Sequence, residues 1–98
     1  MKTFDFGIVG LGVMGRNLAY NIGDNGYNLL GFDADEEKRT LLEDGASPNT
    51  NVKGVQSFQD LVDGLSTPRK ILLMVPAGNP VDSVIKDLKP FYAAAGEL

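Results

Sequence analysis

Short apolar runs alternate along this chain with apolar positions at helical spacing. Phe4-Asp5-Phe6-Gly7-Ile8-Val9-Gly10 is β-rich and stops at glycine, which predicts a buried strand. From Met14 to about Asp24, Met14, Leu18 and Ile22 recur with a helical period, Ala19 lies beside them, and Gly23 to Gly26 supply stop signals. Tyr27 to Phe32 is a second strand-length run and ends at Asp33. Asp33-Ala34-Asp35-Glu36-Glu37-Lys38-Arg39 then opens a helix, acids first and bases after, in the order that the helix dipole favours; Gly45 closes it. Ala46 to Gly54 is polar and carries Pro48, so it reads as a loop, with a short edge strand over Val52 to Val55. Ser57 has the character of an N-cap, with Asp60 in the capping-box position and Phe58, Leu61, Val62 and Leu65 on one apolar face. Lys70 to Val75 holds the most apolar run, Ile71-Leu72-Leu73-Met74-Val75, which fits a central parallel strand covered on both faces. Asn79 and Pro80 start a last helix with Val81, Val84, Ile85 and Leu88 on one side, and Pro90 marks its end.

Strands alternating with helices predict a parallel sheet with right-handed crossovers. Four strands in the order 3-2-1-4 make the opening part of a Rossmann-type doubly wound α/β sheet, truncated at about four strands. No repeat, low-complexity segment or linker interrupts residues 1–98, so they form a single domain.

Composition narrows the chemistry. A net charge of −4 argues against a nucleic-acid or anionic-membrane surface. Cys and His are both absent, which removes disulfides, thiolate nucleophiles and the commonest acid/base and metal ligands. The acids of Asp33 to Glu37 read as solvated dipole partners, and no metal is expected. No apolar run approaches the roughly 20 residues that span a bilayer, and no signal-peptide pattern opens the chain; a cytoplasmic location is expected.

The sharper signal is Gly10-Leu11-Gly12-Val13-Met14-Gly15, a G-x-G-x-x-G between a predicted strand and a predicted helix. In that setting Gly10 permits a tight turn, Gly12 lets backbone approach a pyrophosphate, and Gly15 lets helix and strand pack closely. The amides of Leu11, Val13 and their neighbours at the helix start then hold phosphate. The competing reading is a tight turn that binds nothing. Asp33 ends the second strand at about the separation expected of a residue that accepts hydrogen bonds from the adenosine ribose. Its charge would repel the 2′-phosphate of NADP, and Ala34 offers no guanidinium in compensation, so NAD is favoured over NADP. Asp33 or Asp35 also suits a helix N-cap, and Lys38 or Arg39 are the cations that a phosphate could recruit. Val75, Pro76 and Ala77, at the C-terminal end of the fourth strand, either wall the dinucleotide or simply form a strand exit stiffened by proline. Arg16 reads as a solvated side chain.

Ile8 to Ala19 together with Thr67 to Gly78 resemble the N-terminal coenzyme domain of the 6-phosphogluconate dehydrogenases, in the β-hydroxyacid dehydrogenase superfamily. The likeness covers most of the chain, and Met14, Arg16 and Asn17 joined to Pro68-Arg69 and Val75 to Gly78 make it more specific than the glycine turn alone. NADP-linked members usually carry Asn-Arg-Ser or Asn-Arg-Thr where this chain has Asp33-Ala34-Asp35, and Lys where it has Pro76; both differences look like the NAD-preferring branch. The resemblance implies oxidative decarboxylation of 6-phosphogluconate to ribulose 5-phosphate, with Met14 and Val75 to Ala77 near the nicotinamide. It implies no catalytic residue here, since the family's Lys and Glu lie in later sequence. The chain is thus expected to be a fragment that binds coenzyme without turnover, part of an enzyme that is a homodimer at full length. Two alternatives stand beside it: another β-hydroxyacid dehydrogenase, such as one acting on 3-hydroxyisobutyrate, and a non-catalytic nucleotide-sensing module.

Overall fold

In the computed structural model, which describes residues 3–66, 69–75 and 83–89, the apolar runs become four short parallel strands. These are β1 (Phe6–Val9), β2 (Leu29–Phe32), β3 (Val52–Val55) and β4 (Ile71–Leu73). Helices α1 (Val13–Asp24), α2 (Glu36–Gly45) and α3 (Phe58–Gly64) connect them, and residues 83–89 are helical beyond β4. The sheet order is β3-β2-β1-β4, as the alternation of elements predicts. Register runs Phe6↔Leu29 through Val9↔Phe32 on one side of β1 and Gly7↔Ile71 through Val9↔Leu73 on the other.

Side chains alternate across the sheet, so adjacent residues of one strand enter opposite cores. Ile8 and Leu29 pack with Leu11, Ala19, Leu42 and Val52 beneath α1 and α2. Val9 and Leu30 pack with Phe4, Leu61, Val62, Leu65 and Leu88 beneath α3 and residues 83–89. Helices therefore cover both faces, and β1 is sealed between β2 and β4.

Two helix starts are closed by side chains. The Asp35 carboxylate accepts from the Glu37 amide at 3.0 Å, and the Ser57 hydroxyl accepts from the Asp60 amide at 3.0 Å, each satisfying an otherwise unpaired donor. Asp35, not Asp33, thus caps α2.

Three expectations need correction. The inward face of α1 is Gly15, Ala19 and Gly23, while Met14 is 74% exposed and Leu18 and Ile22 are half-buried. The helix lies too close to the sheet for large side chains: a Cβ on Gly23 would stand 2.7 Å from the Val52 side chain. Strand β4 takes the outer place that the order 3-2-1-4 gives it, but it is not covered on both faces as a central strand would be, since Leu72 is 39% exposed. Ile85 is exposed, and only Val84 and Leu88 of its helical stretch pack inward. The predicted helix start at Asn79-Pro80 lies outside the described residues.

Candidate functional site

The turn from β1 into α1 is held by close contacts that leave no latitude at two positions. Gly10 has φ +102°, and its amide donates to the Phe32 carbonyl at 2.9 Å. A Cβ there would strike the Met74 carbonyl oxygen, and one on Gly15 would strike the Gly10 carbonyl oxygen. Gly12 differs. It is the N-cap of α1, with φ −67° and ψ −172°, which any residue adopts, and a Cβ there would meet nothing within 4 Å. No side chain caps α1 and its first turn holds no acid, so its leading amides and the positive end of its dipole face open space.

Asp33 reaches this turn from the end of β2. One carboxylate oxygen accepts from the Leu11 amide at 2.9 Å and the other from the Asp35 amide at 2.9 Å. A carboxylate has about four acceptor positions, so about two stay open. Arg16 donates to the Leu11 carbonyl at 3.1 Å. The buried Leu11 therefore has its amide held by an acid and its carbonyl by a base. Arg16 is half-buried and engaged rather than simply solvated. Arg39 donates to the Asp33 backbone carbonyl at 2.7 Å, which folds its guanidinium against the main chain.

Above the C-terminal ends of the strands lies a crevice of about 320 Å³. Val9, Phe32, Phe58, Val75 and Val84 give it apolar walls, and Asp33 and Asp87 border it. Phe32 and Phe58 stack at a tilt, 4.5 Å between ring centres, which fixes one wall. A larger groove of about 490 Å³, lined by Phe6, Leu18, Ile22, Tyr27 and Leu72, lies at the opposite ends of the strands, and among the described residues no charged one lines it.

The residues singled out from sequence fall into three sets. Gly10, Gly12, Gly15 and Asp33 meet at the turn, with Val13 and Met14 exposed on the first turn of α1. Leu11 turns its side chain into the core and gives its amide to Asp33, so it positions the turn instead of facing the crevice. Val75 lines the crevice, whereas Pro76 and Ala77 lie outside the described residues. Phe58, Val84 and Asp87 were not foreseen. The first two carry the apolar periodicity of a core face, which does not distinguish a crevice wall from an interior, and nothing local marks Asp87. Among the described residues no cluster of three or more acids could hold a metal, and no helix is long and apolar enough to cross a membrane.

The family model for the NAD binding domain of 6-phosphogluconate dehydrogenase matches residues 5–97. The chain belongs to this family. Decarboxylating 6-phosphogluconate dehydrogenases are its relatives. That of Synechococcus elongatus is 44% identical over 92% of this chain, and that of Klebsiella pneumoniae 45% identical over 93%. The Plasmodium falciparum 6-phosphogluconate dehydrogenase, solved in its apo form, with its cofactor NADP+ and with its substrate 6-phosphogluconate, aligns over 89% of the chain with a TM-score of 0.81 at 32% identity. The chain spans 19% of the length of each of these three proteins. Uncapped helix amides, an open cradle at Gly12 and an acceptor at Asp33 fit the dinucleotide that gives this domain family its name.

Proposed function

We propose that this chain is the coenzyme-binding part of a decarboxylating 6-phosphogluconate dehydrogenase that prefers NAD to NADP. The observation that carries the preference is Asp33. Its carboxylate is anchored by two amides beside the uncapped start of α1, it is followed by Ala34, and no cation lines the crevice among the described residues. Ribose hydroxyls donate to the open lone pairs of Asp33, while a 2′-phosphate there would meet a fixed negative charge. The amides of Gly12, Val13 and Met14 hold the pyrophosphate, and the apolar crevice takes the adenosine. The turn Gly10-Leu11-Gly12-Val13-Met14-Gly15 and Asp33 thus serve the phosphates and the ribose, Val75 a wall of the adenosine crevice, and Met14, Pro76 and Ala77 the nicotinamide side.

The bound dinucleotide supplies the hydride acceptor. The chain's own part is to orient it, with the Leu11 peptide clamped between Asp33 and Arg16 so that the amides of α1 are preset. Catalytic groups, the 6-phosphogluconate contacts and a homodimer interface belong to the remainder of a protein of the relatives' length, in the cytoplasm.

Calorimetric titration of NAD and NADP at fixed salt tests this reading. We expect NAD to bind at least about tenfold tighter, Asp33→Ala to lower NAD affinity by about tenfold, and Ala34→Arg to strengthen NADP by a similar factor. NADP binding as tightly as NAD would overturn the preference and point to Arg39 leaving its carbonyl for the phosphate. Failure to bind either would reduce the glycine turn to a structural one.

A further inference from the structure

The crevice has an uneven hydrogen-bonding character. Its apolar walls offer nothing, and the side chains that border it, Asp33 and Asp87, are carboxylates that only accept. The two come from different elements: Asp33 ends β2, and Asp87 follows β4 in the helical residues 83–89. Since β1 lies between β2 and β4, the acids approach the crevice from opposite flanks of the sheet. They are not equivalent. Asp33 is already committed to the Leu11 and Asp35 amides, whereas Asp87 is exposed and, among the described residues, has no hydrogen-bond or ion-pair partner. Asp87 stands three residues after Val84 on the same helical face, so the wall and the acceptor are presented together.

An apolar crevice with a free acceptor at its border suits a ring system that carries a hydrogen-bond donor on its edge. From this we infer that Asp87 selects the base of the dinucleotide. Its carboxylate accepts an N–H from an exocyclic amino group, so the crevice takes an aminopurine and disfavours an oxopurine. An oxo group at that position would bring two acceptors face to face, with no donor side chain among the described lining residues to relieve them. The inference rests on the coenzyme reading above and adds a specificity-determining residue to it.

The test is competitive titration of the chain with NAD and with nicotinamide hypoxanthine dinucleotide, which differ in this ring substituent and in the proton that the oxo form carries on the neighbouring ring nitrogen. Wild type is expected to favour NAD by about tenfold, and Asp87→Ala to bring the two within about twofold by weakening NAD alone. Asp87→Asn, whose amide can donate, is expected to move the ratio toward the hypoxanthine form. Replacing an exposed side chain leaves the fold intact, and an unchanged melting temperature verifies this for each variant. Equal affinities in wild type, or a preference for NAD that survives Asp87→Ala, would overturn the role of Asp87 while leaving the coenzyme reading standing. Loss of both dinucleotides in wild type would overturn the coenzyme reading and this inference with it.

Discussion

Gly10 and Gly15 are demanded by the chain's own backbone, since any Cβ there collides with the Met74 or Gly10 carbonyl. Gly12 answers to nothing inside the molecule: its φ of −67° is ordinary and the space beside it is empty. A side chain at Gly12 would occupy open space at the start of α1, so the missing Cβ matters only when a ligand arrives. Binding and folding should therefore separate. Gly12→Val is expected to change stability by no more than about 1 kcal/mol yet lower NAD affinity by more than about tenfold. Gly10→Ala should cost roughly 2 kcal/mol or more, because it combines positive φ with a backbone clash. Urea unfolding and calorimetry on both variants measure the two effects. The spacing of these glycines was readable from sequence, and so was Asp33, because a fingerprint ties each to its neighbours in the chain. The clamp on Leu11 was not, since Asp33 reaches the Leu11 amide only after β2 has been laid beside β1.

At the scale of elements, strand positions and both cap residues followed from local chemistry: a short hydroxyl or carboxylate side chain reaches its own helix start whatever surrounds it. The buried face of α1 did not. Apolar periodicity marks Met14, Leu18 and Ile22, but the distance between helix and sheet decides which stripe fits, and here only Gly15, Ala19 and Gly23 do. Ala19→Leu should accordingly destabilise by at least about 2 kcal/mol despite its higher hydrophobicity, a cost of overpacking that chemical denaturation would register. An unchanged midpoint would mean that α1 can lift from the sheet. The edge position of β4 is contained in the order 3-2-1-4, but the exposure of Leu72 escaped the sequence reading for a related reason. A run such as Ile71 to Val75 reports that burial is favourable, not which neighbour supplies it, and β1 covers one side only.

Across the whole molecule, the crevice draws on β1, β2, α3, Val75 beyond β4 and the helical stretch around Val84 and Asp87. A ligand seated there ties both flanks of the sheet together and binds only the folded chain. At a hundred times its dissociation constant, NAD should raise the melting temperature by more than about 10 °C, a linkage effect that a thermal melt at two coenzyme concentrations verifies. Melting unaffected by saturating NAD would exclude the crevice as the coenzyme site. The Met74 amide donates to the Val9 carbonyl at 2.7 Å, and the Met74 carbonyl abuts Gly10. That contact sets an order of events during synthesis. The glycine turn leaves the ribosome well before Met74, the residue that packs against it, which is made only after three helices and three strands have followed. Until β4 docks, β1 has one unpaired flank and the turn lacks the carbonyl that packs against Gly10. A nascent chain halted before Met74 should thus carry every glycine of the turn and still hold a phosphate more weakly than the full chain.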